Sequence, residues 1–144
     1  MSENNNCLTL EASLKSLNAV HDFILKKAAK AGLSRKKINN LLLAVEEVYV
    51  NITNYAYPND KGKVSIYFSM DEKNVTLHIK DEGVPFNPLQ APEPDLASSL
   101  KERRVGGLGI FLVRKLINDV RYERDKQYNV LTLTLCREKV ERDE

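Results

Sequence analysis

From Leu131 to Leu135 the chain alternates leucine with threonine at every position. Successive side chains of a β-strand point to opposite faces, so this pattern belongs to a sheet with one face on a core and the other turned away from it. The predicted strand runs from Val130 to Cys136. Four more stretches read as strands: Cys7 to Glu11, Val64 to Met70, Val75 to Lys80 and Val120 to Arg124. Asn59-Asp60-Lys61-Gly62 supplies a turn, and Asp71-Glu72-Lys73-Asn74 joins the second and third of these four as an antiparallel hairpin.

Helices supply the cover for such a sheet. Ser13 to Ala31 is amphipathic, with Leu14, Leu17, Val20, Ile24 and Leu25 on one face and Gly32 closing it. Ser34 is a good N-cap for a second helix that runs to about Tyr55 and is stopped by Pro58. Its core face is Ile38, Leu41, Leu42, Val45, Val48, Tyr49 and Ile52. A third, apolar helix is expected over Leu108 to Asp119. Four or five strands with three helices predict an α+β two-layer sandwich, a mixed, mostly antiparallel sheet covered on one face by helices. A length of 144 residues fits one domain, 1–144.

Composition excludes several alternatives. Apolar residues at 42% are too many for a disordered chain. The 22 basic and 20 acidic residues nearly cancel, so no electrostatic footprint for nucleic acid emerges. The longest purely apolar run, Leu41 to Val45, is far short of a membrane span. Met1 to Asn6 is polar and lacks the pattern of a signal peptide. A cytoplasmic protein without membrane or nucleic-acid partners is expected. Cys7, Cys136, His21 and His78 are scattered without metal-type spacing, so free thiols, a sheet histidine at His78 and no all-protein metal site are expected.

Three segments carry chemistry. On the second helix, at about 100° per residue, Glu47, Asn51 and Asn54 gather opposite the core face. A lone Glu/Asn pair is ordinarily a solvated face, but Leu43 and Val50 flank it on the same outward side and call for a cover. Asp81-Glu82-Gly83-Val84-Pro85-Phe86 leaves a strand and turns at once, setting a carboxylate at a strand end beside a glycine that permits close ligand approach. Such a carboxylate can accept a hydrogen bond from a purine amino group. Gly106-Gly107-Leu108-Gly109 enters a helix, aiming backbone N–H groups and the positive end of the helix dipole at an anion. It lacks the Lys-Ser/Thr of a P-loop and the glycine spacing of a dinucleotide fold. Between the last two segments Pro85, Pro88, Pro92 and Pro94 break regular structure, and a loop of that length suits a lid, placed at about 87–106.

In this order the three pieces resemble the GHKL ATPase superfamily, with its histidine-kinase-like ATPase fold, and within it the anti-sigma-factor serine kinases of bacterial regulatory switches. Ala44 to Pro58 is similar to their N box, Asp81 to Phe86 to their first glycine box and Gly106 to Asp119 to their second. The resemblance implies a serine/threonine kinase that uses ATP and Mg²⁺. Asn51 would hold the Mg²⁺ that bridges the ATP phosphates, and Glu47 would be the general base. Asp81 would read the adenine amino group and Gly83 would keep the loop close to the base. Gly107, Leu108 and Gly109 would cradle phosphate, Asn54 would join the nucleotide-binding set, and Thr132 would assist at adenine. Lys101, Arg103 and Arg104 of the lid would meet the γ-phosphate. Tyr55 stands where many members carry histidine. Glu46 adjoins Glu47, but the four-residue spacing to Asn51 selects Glu47. The implied partners are an anti-sigma factor antagonist as phosphate acceptor, a sigma factor, and a second copy in a homodimer.

Two alternatives remain at this level. A nucleotide-dependent module could capture a sigma factor or antagonist without phosphorylating it, although such a module has no need of Glu47. Ser13 to Tyr55 could be a helix-turn-helix presenting Lys36, Lys37, Asn39 and Asn40 to DNA, against which the near-neutral charge argues.

Overall fold

The computed structural model describes residues 2–3, 6–57, 61–87 and 107–137. Its strands are β1 (Ser2–Glu3), β2 (Cys7–Glu11), β3 (Lys63–Met70), β4 (Asn74–Asp81), β5 (Asp119–Asp125) and β6 (Tyr128–Cys136). A 3₁₀ turn, Leu14–Ser16, precedes α1 (Leu17–Lys30); α2 (Arg35–Tyr55) and α3 (Gly107–Leu116) follow. The sheet order is β1-β2-β3-β4-β6-β5. Every pairing among the described strands is antiparallel, so the sheet lies at the antiparallel end of the mixed architecture expected. The chain leaves β4, crosses through α3 to the edge strand β5 and returns as β6 between the two.

Alternation decides which side chains face the helices. Leu8 and Leu10 of β2, Val64, Ile66 and Phe68 of β3, Val75, Leu77 and Ile79 of β4, and Leu131, Leu133 and Leu135 of β6 are all buried. The register aligns them in rows: Leu8 opposite Ile66, Ile66 opposite Ile79, and Ile79 opposite Leu131. The same parity carries Asp81 and its cross-strand partner Asn129 onto the buried face at the end of the row. Apolar rows of this kind fix register, because a slip of one residue would turn every side chain to the other face.

Two helix boundaries fall where the sequence says they should, whereas α3, expected to run to Asp119, ends at Leu116 and leaves Asp119 to open β5. Ser34 Oγ accepts from Lys37 N at 3.2 Å to start α2. Gly32 closes α1 at φ +79, a left-handed conformation that suits glycine, with its N–H donating to Ala29 O at 3.0 Å. The apolar face of α1 differs from expectation. Val20, Phe23, Ile24 and Ala28 are buried, whereas Leu14 and Leu25 are 57% and 47% exposed. Leu14 belongs to the 3₁₀ turn and lies outside the phase of α1. Leu25 is displaced from Ile24 by about 100° around the helix, away from the sheet.

Tyr49 ties α2 to the chain entering α1. Its ring is fully buried; its hydroxyl lies 2.7 Å from Ser13 O and 3.1 Å from Glu11 O as donor, and accepts from Ser13 N at 3.1 Å. Tyr49→Phe keeps the ring and strands the Ser13 N–H, so unfolding in urea should show a loss of about 1–3 kcal/mol with an unchanged m value.

Candidate nucleotide site

The turn that leaves β4 is held from two sides. Asp81 is buried, and its Oδ1 accepts from Gly83 N at 2.8 Å and from Asn129 Nδ2 at 2.9 Å. Val84 N donates to Ala56 O at 2.8 Å, bringing the turn against the C-terminal end of α2. A Cβ on Gly83 would run into that same Ala56 carbonyl, which is why a residue without a side chain stands there. Tyr57 spans the junction: its hydroxyl accepts from Glu82 N and donates to Lys63 O, each at 2.7 Å. From the other side, Arg124 Nη1 donates to Gly83 O at 2.7 Å.

Asp81 stands in the wall of a narrow cavity, with Val48 and Ile52 of α2, Ile79, Leu131, Phe86, Tyr122 and Asn129. The cavity is apolar apart from this one polar corner, the usual make-up of a small-ligand site. Phe86, in ring contact with Tyr55 at 5.3 Å between centroids, lies at its edge. Burial raises the Asp81 carboxyl above the ordinary aspartate range, while the hydrogen bonds from Asn129 and Gly83 and the charge of Arg124 pull it back. Among the described residues no hydrogen bond reaches Oδ2, so the second oxygen is available to a donor in the cavity.

The polar face of α2 is divided between two neighbours. Glu46 Oε1 lies 3.1 Å from His21 Nε2 on α1, whereas Glu47 turns to α3, its Oε1 filling the space a Cβ on Gly109 would take. Of the two adjacent carboxylates, Glu47 is therefore the one at the glycine-led helix start. Gly107, Leu108 and Gly109 form the first turn of α3, whose N–H groups have no intrahelical acceptor. Asn51, expected opposite the core, is buried, because α3 packs along that side of α2. Among the described residues its Nδ2 has no hydrogen-bond partner. An amide left unsatisfied by the fold can present its oxygen or its nitrogen, so Asn51 fits a role as single protein ligand to a hard cation.

The chain from residue 10 to 135 matches the model of the histidine kinase-like ATPase domain. It belongs to that family. Over 95 residues it is 35% identical to the serine/threonine-protein kinase BtrW of Bordetella bronchiseptica, covering 65% of this chain and 67% of that protein. Over 121 residues it is 30% identical to the serine-protein kinase RsbW of Bacillus cereus, covering 81% and 76%. A crystal structure of the RsbU and RsbW domains of a Mycobacterium tuberculosis protein superposes with a TM-score of 0.59 at 17% identity, a likeness of fold. That alignment covers 91% of this chain and about a third of the other, 32%.

Two residues expected in the nucleotide-binding set are not brought to the cavity beside Asp81. Thr132 pairs with His78 and shares the outer face of the sheet with Thr134, opposite to the face of Asp81; Asn129 is the residue that stands across from Asp81. Asn54 is exposed and borders a separate open depression with Ser13, Lys15 and Lys61. Arg104, Lys101, Arg103 and the lid from 88 onward lie outside the described residues. Leu43 is 40% exposed, as an outward apolar residue on α2 should be. No helix among the described residues is long and apolar enough to cross a membrane. Asn129, Tyr122 and Arg124 join the site without having been expected; the parity that Asn129 shares with Leu131, Leu133 and Leu135 was the available signal.

Because the folded-state value of Asp81 is raised, the native chain holds its proton more tightly than the unfolded chain does. The stability this contributes is complete below the ordinary aspartate range and is lost as pH rises through the folded-state value. Asp81→Asn removes the dependence while its Oδ1 still accepts from Gly83 and Asn129. Urea unfolding between about pH 3 and 8 should show the variant gaining on the parent as pH rises, then a constant difference once Asp81 is ionised. A difference that stays flat throughout would mean that the carboxyl is not held above its ordinary range.

Proposed function

We propose that this chain is an ATP-binding anti-sigma regulatory protein, a Mg·ATP-dependent serine/threonine kinase that phosphorylates an anti-sigma factor antagonist. The observation that carries it is the contact between Glu47 on α2 and Gly109 in the first turn of α3, which sets a carboxylate beside the helix N-terminus suited to phosphate. Support also comes from family membership and from the relatives named serine kinases.

Each residue then has a task. Asp81 Oδ2 accepts from the exocyclic amino group of adenine, the aliphatic walls of the cavity bury the base, and Gly83 keeps the turn against α2. Backbone N–H groups of Gly107, Leu108 and Gly109 hold phosphate oxygens. Asn51 would hold Mg²⁺, which when bound neutralises phosphate charge. Glu47 takes the proton from the acceptor serine hydroxyl as its oxygen bonds to the γ-phosphorus and the bond to the ADP oxygen breaks, leaving phosphoserine, ADP and a proton on Glu47. Arg104, with Lys101 and Arg103, would reach the γ-phosphate from the lid. A sigma factor as second partner, homodimerisation and a cytoplasmic setting belong to the same reading.

Incubation with labelled ATP, Mg²⁺ and the antagonist protein should transfer label to a serine or threonine of the antagonist. Glu47→Gln should slow transfer by on the order of 10²–10⁴ while leaving ATP affinity nearly unchanged. Full transfer by the variant would remove Glu47 from the chemistry. Undiminished ATP-dependent capture of the antagonist with no transfer by the parent chain would favour a binding module instead.

A further inference from the structure

Asn129 is a buried amide with no spare capacity. Its Nδ2 donates to Asp81 Oδ1 at 2.9 Å and to Val84 O at 2.8 Å; its Oδ1 accepts from Tyr122 OH at 2.6 Å and from Phe86 N at 3.2 Å. Two donors and two lone pairs are all an asparagine side chain has. Its orientation is also fixed by chemistry. The Phe86 N–H can only donate and the Val84 carbonyl can only accept, so the amide nitrogen must face Asp81.

We infer that Asn129, held by Tyr122, is a positioning residue that makes Asp81 discriminate adenine from guanine. This rests on the reading of Asp81 as the base-recognising carboxylate. With Asn129 and Gly83 both donating to Oδ1, that oxygen is filled and Oδ2 is left as a pure acceptor at the cavity wall. An acceptor suits the exocyclic amino group of adenine. Guanine has a carbonyl oxygen at the same ring position, so two acceptors would meet with no proton between them, a buried mismatch that a hydrogen-bonding site rejects strongly. The discrimination fails if the carboxyl turns, or if it holds a proton that it can donate to the guanine carbonyl. Asn129 opposes both, because its N–H anchors one oxygen and favours the ionised form. Tyr122 keeps the amide from turning over, and its ring lines the same cavity.

The test is titration calorimetry of the full chain with ATP and with GTP in Mg²⁺, comparing the parent with Asn129→Ala and Tyr122→Phe. The parent should prefer ATP. Asn129→Ala should reduce that preference on the order of tenfold, and Tyr122→Phe should reduce it in the same direction by less. In the transfer assay both variants should raise KM for ATP and leave kcat at saturating ATP unchanged, as expected for a group acting on the base and not on the reacting phosphate. General loosening of the fold would weaken both nucleotides together and leave their ratio intact. An unchanged ratio in both variants overturns the inference, and if Asn129→Ala does not fold, an unchanged ratio in folded Tyr122→Phe overturns it. A parent chain that prefers ATP while both variants keep its ratio sinks this inference alone; a parent chain that binds neither nucleotide sinks the nucleotide-site reading and this inference with it.

Discussion

A carboxylate set at the end of a row of buried aliphatic side chains must be given hydrogen-bond donors or it will not stay ionised, and that requirement organises the candidate site. Asp81 follows Val75, Leu77 and Ile79 on the inward face of β4. Two donors meet it, Asn129 across the ladder on β6 and the Gly83 N–H in the turn, and the charge of Arg124 on β5 adds to them at longer range. Each donor depends in turn on the sheet keeping its register. Were β4 to slip by one residue, Asp81 would pass to the outer face and Lys80 would enter the core. The apolar rows therefore do more than hold the layers together, since they also decide that a carboxylate faces the cavity.

Much of this was legible in the sequence. Odd-numbered inward positions run from Val75 to Asp81 and from Asn129 to Leu135, and period-two alternation alone places Asp81 on the same side as the leucines. The same alternation puts Thr132 outside, so its expected place at the base conflicted with the pattern it was part of. Asn129 was harder to see, because the expected strand began at Val130 and because the pairing of β4 with β6 joins segments separated by the crossover through α3. Long-range register leaves no local trace. On α1 the predicted face differs from the observed one at two positions: a 3₁₀ turn shifts the phase at Leu14, and Leu25, in mid-helix, flanks the buried stripe and turns outward.

Helical periodicity sees one neighbour at a time, and α2 has three. The sheet takes Leu41, Val45, Val48 and Ile52, α1 approaches on the side of Glu46, and α3 covers the side of Glu47 and Asn51. A helical wheel correctly separates Glu47 and Asn51 from the apolar stripe but then assigns them to water. The burial of Asn51 and the half-burial of Glu47 are a consequence of tertiary packing by a helix that begins with glycines, which lets it approach the Glu47 side chain closely. Consecutive carboxylates thus come to serve different neighbours.

The two ends of the site are built on different principles. At the proposed base end every polar group of Asn129 is matched and Asp81 Oδ1 is filled, so the arrangement there is set by the fold alone. At the other end Asn51 keeps a buried amide nitrogen with no hydrogen-bond partner among the described residues, a condition that costs a native state about 1–3 kcal/mol. Folding alone gives no reason to retain such a group, since a leucine or methionine of similar size would pack against α3 without the penalty. An unsatisfied amide on the face of α2 that α3 covers, one turn from Glu47, is understandable when something polar completes it. Triphosphate oxygens with their cation meet that description, and this is why the proposed nucleotide accounts for a feature of α2 that packing leaves unexplained.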